Sequence, residues 1–262
     1  MKITRFITVG LCLFLAINVK AQQQPLTASD IAKGIIYYKD FSVGLRMSTD
    51  GFGAFANISR RINLYKTKFW QFDIGNVTNS KEVKQASLYT SPYGYFDSPK
   101  AYVYGKQNDF YTLSASYGMK RLIAEKATKN GVELSLKYMG GITLGILKPY
   151  YLDMIYTNDN VSISYILSQP YSQTGPRFLN PEYIYGASGF TYGLTSVSFV
   201  PGIHLKAGLN FDWAAFDDNI KALEVGITCD TYYEKVPIMV SASNNEQIIP
   251  ALYVSIEIGK RR

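Results

Sequence analysis

The sequence has little of what a disulfide-stabilised or helical membrane protein requires. Its 262 residues include only two cysteines and one histidine, and charged residues make up 18% of the composition. Because Cys12 lies in a segment that we expect to be removed, no disulfide can form within the mature chain. No stretch after residue 20 contains the roughly 18 uncharged apolar residues that a membrane-spanning helix needs. These absences exclude a helical membrane protein and a small disulfide-rich domain.

Residues 1–21 have the organisation of a secretory signal peptide. Lys2 and Arg5 form a basic beginning, an apolar stretch runs to Val19, and Ala21 ends a small-residue cleavage site. Cleavage there removes three cations and no acid, which lowers the formal net charge from +7 to +4. No dense cluster of lysine and arginine remains, so nucleic acid is not an expected partner.

Aromatic residues are abundant, and the apolar residues recur with a period of two. Tyrosine occurs 22 times and phenylalanine 14 times, which favours strands over helices. In the segment 132–146, apolar residues occupy most even positions, and polar residues or glycine occupy most odd ones. The segment 197–213 alternates in the same way with the parity reversed. Such alternation indicates strands whose two faces meet different surroundings.

The alternation predicts eight strands, several of them long enough to cross a bilayer at a tilt, which takes about 9–11 residues. The predicted strands span residues 40–48, 52–62, 66–77, 108–121, 131–150, 194–213, 220–233 and 248–260. Since an unpaired sheet edge is not tolerated in lipid, the last strand should pair with the first. The expected fold over 40–262 is all-β, a transmembrane antiparallel up-and-down β-barrel with a plugged lumen. If 161–167 and 182–192 also cross the membrane, the barrel has ten strands.

The lengths of the connections predict an orientation. Outer-membrane barrels keep their periplasmic turns short and their external loops long. With both termini in the periplasm, the connections at 63–65, 124–130 and 214–219 are periplasmic and short, whereas the external set includes 79–107, 151–193 and 234–247. Residues 22–39 would then form a periplasmic segment before the barrel. The expected location is the bacterial outer membrane.

Two blocks of sequence extend this prediction to a group of proteins. The blocks Asn108-Asp109-Phe110-Tyr111-Thr112-Leu113 and Gly140-Gly141-Ile142-Thr143-Leu144-Gly145-Ile146-Leu147-Lys148-Pro149-Tyr150-Tyr151, with the signal peptide and the terminal strand, resemble uncharacterised outer-membrane β-barrel proteins of the Bacteroidota type. The resemblance implies a fold and a location in a Gram-negative envelope. It implies no catalytic residues.

The parity of the predicted strands places a set of ionisable residues on the lumen side. They are Arg46, Asp73, Lys120, Glu133, Lys137, His204, Lys206, Glu224, Asp230 and Glu257. Because buried charges must be paired, we expect a network of ion pairs and hydrogen bonds that fills the lumen. A proton or ion path through the same residues is the alternative interpretation.

His204 is the only histidine and therefore the one side chain suited to act as a general base near neutral pH. Ser198 and Asp212 share its face, but at 3.4 Å per residue they lie roughly 20 and 27 Å away along the strand. No triad fits along that strand, although a serine from a neighbouring strand stays open. No Walker loop, HExxH or CxxC motif occurs. We therefore predict a protein that is not an enzyme and has no catalytic residues, bound metal, cofactor or identified small-molecule substrate.

The two longest loops are rich in tyrosine. Rings in such loops suit contacts with protein or glycan, and the alternative, compatible with this, is that they pack together as a rigid cap. The candidate external interaction surface consists of Tyr89, Tyr93, Tyr95, Tyr102, Tyr104, Tyr165, Tyr171, Tyr183 and Tyr185. The expected partners are outer-membrane lipid and one or more envelope proteins. The predicted function is that of a structural or interaction protein, such as an accessory subunit of an envelope assembly or secretion machine. The alternatives are a narrow transporter or channel and, third, a lipid-modifying enzyme.

Overall fold

The computed structural model describes residues 39–87, 99–125, 131–158, 163–214, 218–241, 243 and 245–262. The predicted signal peptide and nearly all of the predicted periplasmic segment 22–39 lie outside these residues. Among the described residues, no helix is long and apolar enough to cross a membrane. The regular elements are the strands β1 (Lys39–Ser48), β2 (Gly51–Asn63), β3 (Lys66–Val77), β4 (Lys84–Gln85), β5 (Tyr102–Val103), β6 (Asn108–Ala124), β7 (Glu133–Pro149), β8 (Tyr151–Asn158), β9 (Ile163–Pro170), β10 (Ile184–Ala187), β11 (Ser198–Asp212), β12 (Asn219–Tyr232) and β13 (Ile248–Arg261), the short helix α1 (Tyr171–Thr174), and the 3₁₀ turns Gly175–Leu179 and Pro181–Tyr183.

Eight of the strands form a closed antiparallel barrel in the order β1-β13-β12-β11-β7-β6-β3-β2. The first strand pairs with both of its neighbours in the ring, so that Val43 lies opposite Ala56 on one side and opposite Ile258 on the other. No barrel edge is left unpaired, as the alternation of the sequence predicted. The predicted eight-stranded up-and-down barrel, closed by the last strand against the first, is confirmed.

The ten-stranded alternative is wrong. The described part of the first extra segment belongs to β9, the second contributes β10, and both strands lie in a separate three-stranded sheet with the order β10-β8-β9. The chain leaves the barrel after β7 and enters β8 one residue later, and Met154 of β8 lies between Leu167 of β9 and Ile184 of β10. These segments extend the fold beyond the end of the barrel instead of widening it.

Most strand ends agree with the prediction within two residues, and β11 departs most. It begins at Ser198, four residues later than expected, because residues 189–196 form successive turns. The backbone N–H of Tyr192 donates to Gly189, and that of Ser196 donates to Gly193, whose φ of 85° lies in the left-handed region. The apolar residues before β11 therefore belong to the loop.

The two faces of the barrel differ in the sense typical of a membrane protein. Outward apolar side chains remain exposed, up to 73% for Met47. Others of this outer belt include Phe52, Phe72, Ile74, Leu113, Phe199, Ile203, Leu205, Ile227, Leu252, Val254, Ile256 and Ile258. The lumen side instead holds buried charged side chains, among them Arg46, Asp73, Lys137, Lys206, Glu224 and Glu257. A continuous apolar outer band around a polar interior suits contact with hydrocarbon.

Candidate functional site

The structure places all ten predicted lumen residues on the inner face of the barrel. Eight of them are buried, whereas the side chains of Lys120 and Glu133 keep 23% and 21% of their surface exposed. These two lie near the end of the barrel that carries Lys39 and Arg262, which we name the terminal end. The opposite end, from which the long connections emerge, is the loop end.

Glu224 is the centre of the lumen network. Its side chain is fully buried, and its two carboxylate oxygens contact two lysines from the neighbouring part of the ring. The Nζ atom of Lys137 lies 3.0 Å from Oε2, and the Nζ atom of Lys206 lies 3.2 Å from Oε1. The hydroxyl of Tyr253 donates to Oε1 at 2.5 Å. One carboxylate thus neutralises two buried ammonium groups in part and accepts a hydrogen bond from a third side chain.

A second carboxylate completes the balance of charge. Glu257 lies 3.2 Å from Lys137 through Oε2, and its Oε1 accepts hydrogen bonds from Asn57 at 3.0 Å and from the hydroxyl of Ser42. The ammonium group of Lys137 also lies 4.8 Å from the ring centroid of Phe69. We name these residues, with Glu224, Lys206 and Tyr253, the central plug. The two lysines and the two glutamates there balance each other in charge, as buried charges require.

Arg46 and Asp73 form a separate pair on the same inner face. The two guanidinium nitrogens Nη1 and Nη2 each lie 3.1 Å from one carboxylate oxygen, which is the bidentate geometry that arginine favours. Gln71 donates to the same carboxylate at 3.2 Å. The guanidinium group faces Gly53 and Gly75, where any added side chain would meet Nη2 within about 3.3 Å. The glycines therefore make room for the arginine.

Several lumen residues were not predicted. At the terminal end Arg261 pairs with Asp212 and donates to the carbonyl oxygen of Asn219 at 2.7 Å, and Lys120 lies 3.4 Å from Glu133. Tyr253, Asp212 and Arg261 share the parity of predicted lumen residues on their own strands. Asp212 was placed on the face of His204 but left out of the predicted lumen set, and counting every polar residue of that parity would have added all three.

His204 lies inside the barrel and pairs with Asp230. Its Nδ1 lies 2.6 Å from Oδ1 of Asp230, and the side chain is buried. The other ring nitrogen has no hydrogen-bond partner among the described residues. Gly141 lies opposite His204 on β7, and Ser116 lies opposite Gly141 on β6. Within the described part of the chain, no serine hydroxyl donates to the imidazole.

The lumen is closed a second time, at the loop end, by apolar residues. The connection between β12 and β13 folds over the barrel opening, where Val236, Ile238 and Met239 are buried. They pack on inward side chains of the strands: Val77, Phe110, Leu147, Val200 and Tyr232. The carbonyl oxygen of Ile238 accepts hydrogen bonds from the backbone N–H groups of Gln107 and Asn108, at 2.8 and 3.2 Å. We name this cluster the apolar plug, and sequence alternation gave no sign of it.

Charged residues surround the apolar plug at the loop end. Lys106 lies 2.6 Å from Glu82 and 2.9 Å from Asp109, and Lys148 lies 2.8 Å from Asp109. Burial opposes the charged form of Lys106, but the hydrogen bonds and charges of the two carboxylates outweigh it and raise its pKa. These pairs join the 79–107 loop to the barrel.

The long connection after β7 folds into a body of its own. Its sheet of β8, β9 and β10 packs over an apolar cluster formed by Tyr102, Leu152, Met154, Phe178 and Ile184. Asp153 accepts hydrogen bonds from the hydroxyls of Ser168 and Ser188, both at 2.5 Å, and so connects β8 to β9 and to the residue after β10. We name residues 99–107 and 150–194 together the loop platform.

Arg177 stiffens the loop platform. Its guanidinium carbon lies 4.2 Å from the ring centroid of Tyr156 and 4.0 Å from that of Tyr183, so the cation is held between two rings. Nη2 donates to the carbonyl oxygen of Ile155 at 3.0 Å. Tyr104 donates to the carbonyl oxygen of Leu179 at 2.8 Å and so ties the two loops together. The expectation of a rigid cap therefore describes this part of the chain.

The nine predicted tyrosines fall into three groups. Tyr89, Tyr93 and Tyr95 lie outside the described residues. Tyr102 and Tyr185 are 2% and 6% exposed, so assigning them to an external surface was wrong, and Tyr102 belongs to the apolar cluster of the loop platform. Tyr104, Tyr165 and Tyr183 are exposed, and Tyr171 is half-buried with its ring against Phe178.

Three exposed apolar side chains of the loop platform were not predicted. They are Phe190, Tyr192 and Leu194, which follow one another at every second position in the turns before β11. Within the described part of the chain, no group of three or more histidine, cysteine, aspartate or glutamate residues is placed to hold a metal ion. The features that remain as candidates for function are the sealed lumen, the outer wall and the loop platform.

No family model matches the chain, and no curated protein matches it in sequence. Among solved structures, the chain is similar to Ail, the attachment invasion locus protein of Yersinia pestis, determined in complex with the heparin analogue sucrose octasulfate. The identity is 10%, the alignment covers 87% of this chain and 100% of Ail, and the TM-score is 0.40. Neisserial surface protein A is 9% identical, with 86% of this chain and 97% of that chain covered and a TM-score of 0.38. The strand pairing of this chain, and not these similarities, establishes its barrel.

Proposed function

We propose that this chain is a non-enzymatic integral outer-membrane β-barrel that presents the loop platform outside the cell as a binding surface for another envelope protein. The observation that carries the proposal is the loop platform itself. A hydrogen-bonded sheet with its own apolar cluster holds exposed aromatic rings in fixed positions beyond the barrel. Fixed rings lose little conformational entropy when a partner binds.

The outer belt supports the membrane location. Its exposed apolar residues occur on all eight barrel strands, and the exposed rings of Trp70 and Trp213 lie towards the terminal end. Indole rings favour the boundary between hydrocarbon and head groups. A water-soluble barrel would gain nothing from such a surface, because leaving it hydrated is unfavourable.

The connection lengths support the orientation. At the terminal end the chain reverses through residues 64–65, 125–132 and 213–218. At the loop end it passes through 78–107 and 150–197, with one short hairpin at 49–50 and the apolar plug between β12 and β13. The rule that external loops are the longer ones places the loop platform outside and both barrel termini in the periplasm.

The interior favours an interaction protein over the two alternatives. A narrow transporter needs a continuous path, and here the central plug and the apolar plug both block the lumen. A lipid-modifying enzyme needs its reactive groups at the outer wall or rim, and His204 is buried inside.

The exposed surface of the loop platform suits a protein partner. Phe190, Tyr192 and Tyr165 present large rings to the outside. Aromatic residues are enriched where protein interfaces have most of their binding energy. The specific form of the proposal is an accessory subunit of an envelope assembly or secretion machine, in keeping with the resemblance to Bacteroidota-type barrel proteins.

The test is affinity purification from native membranes in mild detergent, followed by native mass spectrometry. We expect a stoichiometric protein partner with the wild type, and its loss with Phe190→Ala. Phe52→Ala is the matched control, since Phe52 lies on the barrel wall with 67% exposure against 65% for Phe190. A chain that stays monomeric under all mild conditions, or an equal loss of partner in both variants, would contradict the proposal.

A further inference from the structure

Three cations occupy directly opposed positions on the outer wall at the terminal end. Lys39 of β1 lies opposite Arg60 of β2, and Arg60 lies opposite Lys68 of β3. All three side chains are exposed. Like charges in opposed positions of neighbouring strands destabilise a sheet. No acidic side chain of the described residues lies within ion-pair distance of any of the three, so the described residues do not offset the repulsion within this cationic row.

A row of large apolar side chains runs beside the cationic row. Ile58 lies opposite Trp70, and Trp70 lies opposite Tyr117, each two residues nearer the middle of the barrel along its strand. Two residues of a strand span about 7 Å. The rings of Trp70 and Tyr117 have centroids 5.1 Å apart and are inclined at 51°. The outer wall has an open space beside these rings.

That space is a concavity of about 350 Å³ on the outer wall, formed by both rows. Its lining consists of Lys39, Ile58, Ser59, Arg60, Lys68, Phe69, Trp70 and Tyr117. A volume of this size lies within the usual range for ligand sites. The groove therefore has a cationic rim and an apolar floor, and the two are separated along the strand direction.

We propose that this groove binds an anionic glycerophospholipid, with its phosphate on the cationic row and the start of an acyl chain against Trp70 and Tyr117. The proposal rests on the proposed function, because this wall meets lipid only if the barrel lies in a membrane. A glycerophospholipid has its phosphate next to its hydrocarbon, which matches the order of the two rows. Arg60 can bind two phosphate oxygens at once, and the flanking lysines add charge.

The charge of the row selects among head groups. Three cations without acidic partners attract a head group of net negative charge and repel one that carries an ammonium group. We therefore expect phosphatidylglycerol to bind in preference to phosphatidylcholine. Since exposed charges are screened by salt, the preference decreases as ionic strength rises.

The chain offers a matched control for the cationic row. Lys221 of β12 and Lys260 of β13 are exposed at the same end of the barrel, but they lie opposite Ile258 and Phe41 and not opposite another cation. Lys221→Gln/Lys260→Gln and Arg60→Gln/Lys68→Gln therefore remove the same charge from the same end. Only Arg60→Gln/Lys68→Gln changes side chains that line the groove.

The experiment uses the full chain in detergent micelles doped with equal amounts of phosphatidylglycerol and phosphatidylcholine, read by native mass spectrometry. We expect one retained phosphatidylglycerol, at least fivefold more abundant than phosphatidylcholine, on the wild type and on the Lys221/Lys260 control. The Arg60/Lys68 variant should lose this preference. Equal retention of the two lipids by the wild type, or an unchanged preference in the Arg60/Lys68 variant, would overturn the lipid site.

A parallel measurement separates the lipid site from the proposed function. Each variant is inserted into vesicles of phosphatidylcholine alone, and the folded barrel is detected by its altered mobility in unheated gel samples. Insertion of all variants with no lipid preference would contradict the lipid site and leave the membrane location intact. Failure of the wild type to insert would overturn both.

Discussion

At the scale of single residues, Lys206 depends on Glu224. No other acidic side chain of the described residues lies within ion-pair distance of the buried Lys206 ammonium. Glu224→Gln therefore leaves a buried cation without a carboxylate, which costs about 3–5 kcal/mol of the free energy of unfolding. Urea unfolding of the barrel in phosphatidylcholine vesicles measures this loss.

A double variant separates the ion pair from general damage to the lumen. Glu224→Gln/Lys206→Met removes the buried cation together with its carboxylate, and Lys137 keeps Glu257. We expect the double variant to recover most of the stability lost in Glu224→Gln. Glu234→Gln, in the exposed part of the β12–β13 connection, is the control that should change nothing. A double variant no more stable than the single one would contradict this account of the central plug.

His204 offers a test of the enzyme alternative. His204→Ala should leave the lipid composition of the host membrane unchanged, because the imidazole is buried inside the barrel, away from lipid at the outer wall. It should also lower the free energy of unfolding by about 1–3 kcal/mol, since Asp230 loses its hydrogen-bond partner. Mass spectrometry of extracted lipids checks the first expectation. A lipid species that disappears only with the variant would establish catalysis.

The sequence predicted the lumen residues through strand parity alone. Lys137, Lys206 and Glu224 could be placed on one face because each lies in a long alternating strand. Their partners could not be chosen, since which glutamate meets which lysine depends on the stagger of strands far apart in the chain. For the tyrosines there was no such rule: Tyr102 and Tyr104 are neighbours in a loop, and one is buried and the other exposed.

At the scale of elements, the apolar plug and the central plug close the lumen independently. Val236→Ala/Ile238→Ala removes buried side chains from the apolar plug, and a change of this kind costs about 2–5 kcal/mol for the isoleucine. We expect planar-bilayer recordings to show no conductance steps for the wild type or for this variant, because the central plug still blocks the lumen. Conductance steps with the wild type would support a channel. Conductance steps with the variant alone would mean that the central plug does not block the lumen.

Strands that alternate regularly in their own sequence were predicted. Elements that depend on contacts between residues far apart in the sequence were not. The strand β3 was predicted at its observed bounds, because a membrane on one side and a lumen on the other impose strict alternation. The sheet of β8, β9 and β10 lies beyond the barrel, where both faces pack on protein or meet water, so its sequence does not alternate in the same way. The apolar plug depends on pairing between residues 105–108 and 238–240, which are separated by more than a hundred positions.

At the scale of the whole molecule, the orientation can be tested by adding trypsin to intact cells. The exposed lysines of the external connections, such as Lys84, Lys100 and Lys235, should be cleaved. Arg177 should resist because Tyr156 and Tyr183 enclose it. Lys66 and Lys221, at the terminal end, should be cleaved only after the outer membrane is permeabilised. Cleavage of the latter two in intact cells would mean that the orientation is reversed.

The barrel as a whole could be predicted because the alternation along the sequence gives the strands, and the requirement that no strand edge be left open in lipid gives their closure. The partner of the loop platform could not be predicted, since an exposed aromatic surface favours binding but does not identify the protein that binds. The groove beside Lys39 and Trp70 could not be predicted from the sequence either. Its residues come from four strands, and only the pairing of those strands brings a cation next to a cation.

The pairing of β1 with β13 has a consequence for biogenesis. These are the first and the last barrel strands along the chain, so the ring closes only when residues 39–48 meet residues 248–261. Before that contact forms, both strands present unsatisfied backbone groups and apolar side chains, which favours aggregation. The barrel is therefore most vulnerable to wrong association before its final strand pairing.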